Sequence, residues 1–370
     1  MLEAVLPLSD PSSVWRAPRL QVIANGQIVT GAMEAEVISN NYYAADRFSA
    51  SIVLGIDPWA EAPFWASESD ILLDVQFSLD GGASFTSLVQ GAVDRVSIDP
   101  TFGLVHLDGR DLTASLIETR TQETFANRTA SEIATILAGR HNLMPRVSPT
   151  TTPVGRYYQS EHDRITLDQF SRATTEWDLL VFLARHEGFD AFVQGQALYF
   201  QPATQAADLA VSLRPDDVID LKLERSLTLA RDIEVVVKSW NSRQNNAFIQ
   251  SARALCRSGT GQSNGSPQRY VFVQPNLTPD DALKLAQRKL AELTRHERTI
   301  RISMPGELAL SPRSLIALEG TGTDFDQTYY IDVIERRLRQ DGGLMQRILA
   351  KNTSPRTETT TPNDTDGGTT

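Results

Sequence analysis

The apolar residues of this chain change their spacing twice, and each change marks a domain. At the start they alternate. Leu20, Val22 and Ala24 lead into Asn25-Gly26, a pair that tolerates positive φ at both positions and so predicts a type I′ hairpin turn. Phe48–Leu54 and Ile71–Leu79 read as further strands, and Asp80-Gly81-Gly82 as the next turn. Val89–Ile98 and Gly103–Gly109 form a second predicted hairpin through Asp99-Pro100. Alternation of this kind belongs to antiparallel sheet with one face on a core. Between strands, Pro58–Ala66 carries Trp59, Phe64 and Trp65, which either cap that core or face a partner, capping being the expectation. The first domain is predicted over 1–111.

The spacing then becomes helical. Thr129-Ala130-Ser131-Glu132 is a capping box, in which Thr accepts from the third amide and Glu reaches back to the cap amide. Ile133, Ile136, Leu137 and Arg140 follow at helical spacing. Thr166-x-x-Gln169 predicts a second helix. Thr175-x-x-Asp178 predicts a third, with Trp177, Leu180, Leu183 and Ala184 on one face and Gly188 as its stop. Phe189–Val193 and Ala197–Phe200 make a hairpin about Gln194-Gly195-Gln196. Helices on a small sheet give an α+β middle domain over 112–205.

Alternation returns after that. Ile233–Val237 and Ala247–Ala254 bracket a polar turn at Asn241–Asn246, and Ser258–Pro267 reads as a loop. A helix is predicted over 278–297, capped by Thr278, with Pro279 first, Asp280 and Asp281 in its first turn, and Leu283, Ala286, Leu290 and Leu293 as its buried stripe. Ile300–Ser303, Ser314–Leu318, Tyr329–Arg336 and Leu344–Lys351 are strands. These make a second β domain over 206–352. Thr353–Thr370 contains no apolar residue and is expected to stay disordered. The predicted fold class is α+β, mainly β: two antiparallel barrel or sandwich domains flanking an α+β middle domain. Two β domains in one chain point to a duplication, although no clean sequence repeat is visible.

Composition removes several functions. With 46 acidic and 35 basic residues the net charge is −11, a poor match to phosphate backbones. The one cysteine, Cys256, allows neither an intrachain disulfide nor a multi-cysteine zinc site. Met1–Pro11 has no basic residue, unlike a secretory leader, and the longest helical apolar run, Leu179–Ala184, is far short of a membrane span. A soluble protein made in a cytoplasm is expected.

The catalytic signatures fail one by one. His186-Glu187-Gly188-Phe189-Asp190 has Asp where a zinc protease needs its second His. Gly259-Thr260-Gly261 lacks a correctly placed third glycine, Gly265 coming one position late. The carboxylate pairs Asp216/Asp217, Asp280/Asp281 and Asp324/Asp326 fall in turns or at a helix start, where acids serve local hydrogen bonding. Asp364-Thr365-Asp366-Gly367 is half of a calcium loop. His106, His141, His162, His186 and His296 show no metal spacing. The expectation is no catalytic, cofactor-binding or metal site, and no enzyme.

Three segments in order resemble the phage late control D family, the hub proteins of phage-type tail baseplates. The first is Gly91-Ala92-Val93-Asp94-Arg95-Val96 with Leu104–Leu112, ending on Gly109-Arg110-Asp111. The second is Phe125–Ile133 running to His141-Asn142-Leu143, then Glu176–Leu180, Glu187-Gly188-Phe189 and Gly195–Phe200. The third is Val235–Asn241, the helix at 278–297 and Gly320–Val333. The chain departs from the family at Pro312-Arg313-Ser314, where a Pro-Gly turn is usual, and at Glu335-Arg336-Arg337, where a strand often ends in His. Residues up to about 90 match in pattern only.

The resemblance implies a homotrimer whose chains each give two tail-tube-like domains. Such a pseudo-sixfold ring joins a hexameric tail tube to a threefold spike, with the tape measure protein as a further neighbour and DNA only passing through the lumen. It implies a virion tail assembled in the bacterial cytoplasm. The net charge adds the expectation of an acidic bore that lets DNA slide. Rival readings are a hub-like component of a secretion or injection particle, a tail-associated cell-wall hydrolase, and a monomeric carbohydrate- or peptide-binding β protein.

Overall fold

The computed structural model describes residues 6–7, 16–55, 61–157, 164–165, 175–203, 210–227, 233–241, 246–256, 268–274, 277, 279–294, 297–339, 341–352 and 357–360. The architecture is mainly β, with a large antiparallel sheet and few helices.

β1 (Leu6–Pro7) pairs in parallel with Val211 and Ser212 of the second β domain. The first domain contains β2 (Arg19–Ala24), β3 (Gln27–Val29), β4 (Ala32–Asn40), β5 (Arg47–Val53), α1 (Ala62–Ser67), β6 (Leu72–Ser78), β7 (Thr86–Asp99) and β8 (Leu104–Asp111). Neighbours run β4-β5-β8-β7-β6-β2-β3. Alternate residues, among them Val22, Val37, Phe48, Leu73, Phe77 and Leu107, form one core. Asn25 at φ 48° and Gly26 at φ 82° make the predicted hairpin turn between Ala24 and Gln27. Trp65 on α1 is buried against this core, as expected of a cap, while Trp59 lies outside the described residues.

The middle domain holds α2 (Thr113–Glu118), α3 (Ala130–Arg140), β9 (Met144–Val147), β10 (Arg156–Tyr157), β11 (Arg164–Ile165), α4 (Glu176–Glu187), β12 (Phe189–Gln194) and β13 (Ala197–Pro202). Both described capping boxes form, at Thr129/Glu132 and Thr175/Asp178, and Gly188 ends α4 at φ 74°. The start predicted at Thr166–Gln169 lies outside the described residues. The sheet has a third member that the sequence reading missed: β9 runs parallel to β13. Leu137, Leu180, Leu183, Leu198 and Phe200 sit in its core.

The remaining elements are β14 (Ala210–Leu213), β15 (Asp220–Arg225), β16 (Ile233–Asn241), β17 (Asn246–Cys256), β18 (Gln268–Val273), α5 (Pro279–Thr294), β19 (Arg298–Pro305), β20 (Leu315–Leu318), β21 (Thr328–Arg339), β22 (Gly343–Asn352) and β23 (Thr357–Thr360). The stretch 206–352, read from sequence as one domain, has two cores. One lies among β14, β15 and β19–β22 and includes Leu213, Ile300, Ile316, Ile334 and Ile348. The other lies between α5 and a separate sheet, β18-β16-β17-β23, that interrupts the domain between β15 and β19. The predicted stripe on α5 is out of phase by one residue at its start. Ala282, Ala286 and Leu290, four apart, face the sheet, and Leu283 is displaced to the flank. Thr357–Thr360, within the stretch expected to be disordered, pairs with β17. A ladder on an open strand edge needs backbone groups, not apolar side chains.

The two β domains repeat each other strand for strand. The order β4-β5-β8-β7-β6-β2 in the first corresponds to β15-β19-β22-β21-β20-β14 in the second. The registers agree as well. The core row Val37, Phe48, Gly109, Val93 corresponds to Leu223, Ile300, Ala350, Ile331. The next core row, Ala35, Ala50, Leu107, Val96, corresponds to Leu221, Ile302, Ile348, Ile334. Between the two rows β7 and β21 each carry a register shift, at Val93/Arg95 and at Ile331/Val333. The copies differ at one end, where β2 meets β6 antiparallel and β14 meets β20 parallel.

One matched pair explains a glycine. A Cβ on Gly109 would lie 2.3 Å from the Phe48 ring and 2.3 Å from the Ala92 carbonyl oxygen. Its counterpart is Ala350, opposite the smaller Ile300. Gly109→Ala is expected to destabilise by about 1–3 kcal/mol through overpacking. Adding Phe48→Ile should recover part of that, as read by denaturant midpoints.

Candidate functional site: the joint between the β domains

The β domains are fused into one sheet through β21. Its first residues pair with β20, and then Val333–Arg339 pair antiparallel with Asn40–Glu34 of β4. On the core side of this seam Leu338 enters the first domain's core. Beside it the buried Arg336 donates to the carbonyl oxygens of Glu307 and Leu310, and burial pulls its guanidinium down to about 10. On the opposite face, Arg337 and Arg339 reach Glu34 at 3.6 and 3.5 Å, and Arg347 reaches Glu335 at 3.3 Å. The same face continues over the first domain to Arg95–Asp108 at 2.6 Å and over the second to Arg301–Glu224 at 3.5 Å. The seam thus joins the polar outer faces of the two domains into one surface.

Each β domain carries an aspartate at its bulge, paired with a base on the neighbouring strand. Asp332 lies 2.7 Å from Lys351, and Asp94 lies 2.6 Å from Arg110. Lys351 and Arg110 are matched positions, one residue after Ala350 and Gly109. Their surroundings differ. Tyr42, from the turn after β4, donates its hydroxyl to Asp332 at 3.1 Å, and Asn41 donates its amide to the Asp332 carbonyl. The side chains of Asp332 and Lys351 are 2% and 12% exposed, against 38% and 29% for Asp94 and Arg110.

The middle domain locks onto this seam through two strained residues. Five described residues other than glycine have positive φ, and three are asparagines. The other two are Tyr43, at φ 56°, and Arg313, at φ 76°. Such backbone costs a residue with a Cβ about 1–2 kcal/mol, so the side chains must be needed there. Both lie where the three domains meet. The carbonyl of Tyr43 accepts from Trp177 Nε1 at 2.7 Å, and its ring lies under Arg185. Arg313, in the turn before β20, places its guanidinium 3.6 Å from the centre of the Phe192 ring and donates to Asn41 Oδ1 at 3.2 Å. One arginine of the second β domain therefore touches the middle and first domains together. Tyr330 adds a hydrogen bond to Asp190 at 3.3 Å.

A small cavity at this point is lined by Asn41, Ala44, Asp111, Trp177, Ala191 and Arg313, among others. Asp46 and Asp111 meet beside it, the Asp111 amide donating to the Asp46 carbonyl at 3.0 Å. Burial pushes the Asp46 carboxyl up to about 6, against hydrogen bonding from Asn40 and the charge of Arg313. Burial, aided by the charge of Asp46, pushes Asp111 up to about 7. Arg313→Gly relaxes the backbone but removes the ring contact and the hydrogen bond. A net loss of about 1–2 kcal/mol is expected. Hydrogen exchange should show it as faster opening of Phe189–Gln194.

The residues examined in the sequence for chemistry are dispersed. His106 faces Ser51 and Asp108 on the outer sheet face. His141 ends α3 and meets the buried Glu176 at 2.6 Å, a carboxylate that also holds Arg140. His186 stacks on Phe182 at the end of α4, and burial lowers its pKa. Asp217 accepts the Arg214 amide, Asp280 and Asp281 open α5, and Asp326 accepts from Thr321 and Gly322. His162, His296, the Gly259–Gly265 stretch and Asp364–Gly367 lie outside the described residues. Among the described residues no three His, Cys, Asp or Glu side chains come together as a metal site. No helix among them is long and apolar enough to cross a membrane.

No family model matches this chain, and no curated protein matches it in sequence. Solved structures do match it in shape, over about nine-tenths of its length. A tail protein from Neisseria meningitidis MC58 superposes with TM-score 0.68 at 14% identity, over 91% of this chain and 97% of that one. The fold is that of phage tail proteins. The 43 kDa tail protein of prophage MuSo2 from Shewanella oneidensis shares this tail-protein fold with TM-score 0.66 at 16% identity, covering 90% and 98% of the two chains. So does an E. coli component of the type VI secretion system, itself similar to T4 bacteriophage tail proteins, with TM-score 0.53 at 12% identity over 90% and 77%.

Proposed function

We propose that this chain is a structural hub subunit of a phage or phage-like tail. In this reading it works as a homotrimer, a pseudo-sixfold ring between a hexameric tail tube and a threefold spike. The carrying observation is the duplication. Two β domains with matched strand order, register and bulge are fused by β4 and β21, so three chains offer six like positions to a sixfold neighbour. The tail-protein fold over nine-tenths of the chain supports the same reading. The work is then done by surfaces and not by side-chain chemistry, and the protein acts in the virion tail, with tube, spike and tape measure proteins as neighbours.

The acidic bore expected from net charge finds no support in the seam face. Its acids are interleaved with arginines in ion pairs, so a bore lined by this face would be close to neutral. DNA would then slide past a balanced surface.

A second reading, the equivalent part of a secretion or injection particle, is favoured by the match to the type VI secretion component. Counting copies of the chain in a reconstruction of the particle tests both. Three copies in one ring beneath a tube are expected. A single copy, or a ring of six, overturns the hub. A tube without a DNA-filled head assigns the second reading.

A further inference from the structure

The seam inside the chain is a template for the seam between chains. Resting on the trimeric-ring reading above, we propose that β7 of one copy pairs antiparallel with β15 of the next, in the register that joins β21 to β4. The matched strands are β7 with β21 and β15 with β4. In β21 the stretch past the bulge is covered by β4. Its counterpart in β7, Arg95–Asp99, runs past the end of the β6 pairing and, among the described residues, pairs with β8 alone. Among the described residues β15 likewise pairs only with β19. Among the described residues, one chain therefore presents the two open edges that its own seam would join.

The register follows from the matched positions. Within the chain Glu335 faces Ile38, Arg336 faces Val37 and Arg337 faces Glu36. Moving each residue to its counterpart places Ser97 opposite Glu224, Ile98 opposite Leu223 and Asp99 opposite Lys222. The pairs are chemically compatible. Ile98 and Leu223 are each half-covered by their own core and would complete each other's burial. Asp99 and Lys222 reverse the signs of Arg337 and Glu36 and remain opposite in charge. Just beyond the paired stretch lie two exposed apolar side chains, Phe102 in the turn after β7, 76% exposed, and Ile219 ahead of β15, 63% exposed. Phe102 sits on a stiff tip, since Asp99 accepts from the amides of Thr101 and Phe102 at 2.9 and 3.1 Å.

The test is disulfide trapping in assembled particles of the full chain, with Cys256→Ala removing the native thiol. Directly opposed residues in an antiparallel pair have Cα atoms about 4.5–5.5 Å apart, within disulfide reach, whereas a two-residue offset exceeds it. Ser97→Cys with Glu224→Cys should give a covalent trimer on oxidation. Ser97→Cys with Lys222→Cys should give at least tenfold less. Ile38→Cys with Glu335→Cys, the matched pair inside one chain, should close within the monomer. A trimer by mass that the first pair fails to trap, or traps no better than the offset pair, overturns this pairing and leaves the ring intact. A chain that is monomeric in the particle removes the ring itself. Lys222→Glu, a substitution at an exposed position, should reduce incorporation into particles at least fivefold, and unchanged incorporation counts against the pairing.

Discussion

Asp332→Ala is expected to cost about 3–5 kcal/mol, while Asp94→Ala, the same change at the matched bulge, should cost the isolated chain about 1 kcal/mol or less. The difference is burial. Asp332 is 2% exposed and its loss strands Lys351, 12% exposed, without a counter-ion beneath Tyr42. Asp94 and Arg110 are over a quarter exposed, and Arg110 keeps Glu118 as a partner. Denaturant midpoints of the two variants measure the contrast. The double change Asp332→Ala with Lys351→Met removes both charges and should recover most of the loss, because a buried pair exchanged for apolar side chains is often near neutral. Equal losses at both bulges would show that their surroundings do not differ as the structure has them.

Stability at the three-domain joint is expected to fall as pH rises. The folded chain holds Asp46 up at about 6 and Asp111 at about 7, whereas an unfolded aspartate titrates near 3.8. Between those limits the folded state binds more protons than the unfolded one. The stabilising contribution is thus complete at the acid end of the window and is lost as pH rises through the folded values. The two carboxyls titrate as a coupled pair, so the loss spreads over the whole interval. Asp111→Asn removes the larger part. Relative to the unaltered chain it should gain on the order of a few kcal/mol at pH 8, less than half of that at pH 5 and little at pH 3. Thermal midpoints against pH read this directly, and a variant whose pH profile parallels the parent's would discard the account.

The elements read most surely from sequence are those built by neighbours in sequence. Asn25-Gly26, Thr129 with Glu132, and Thr175 with Asp178 act over two to four positions, and all three form. The duplication is different. Its matched core rows, Val37-Phe48-Gly109-Val93 and Leu223-Ile300-Ala350-Ile331, share no residue, because a core row conserves volume and not identity. The second copy is also split by β16–β18 and α5. The readable trace was Val93-Asp94 against Ile331-Asp332, an aspartate after a β-branched residue in the middle of a long strand. Nothing in a tyrosine or an arginine announces positive φ, so the joint at Tyr43 and Arg313 was hidden. Arg313 left one hint, since it stands where the resembling family usually has a glycine, the residue that accepts this backbone without strain. Its side chain, absent from a glycine, reaches both other domains.

The placement of the interrupting module has its own consequence. It leaves the second β domain between β15 and β19, the address at which the first domain has only the turn from Asn41 to Asp46. In the proposed trimer, six nearly interchangeable building blocks arranged in a circle would therefore be marked alternately, every other one bearing a sheet-and-helix projection. A circle so marked repeats after a third of a turn instead of a sixth. The change of symmetry between a tube and a spike would need no special adaptor surface: it would be written into a single hairpin turn, enlarged in one copy and left short in the other.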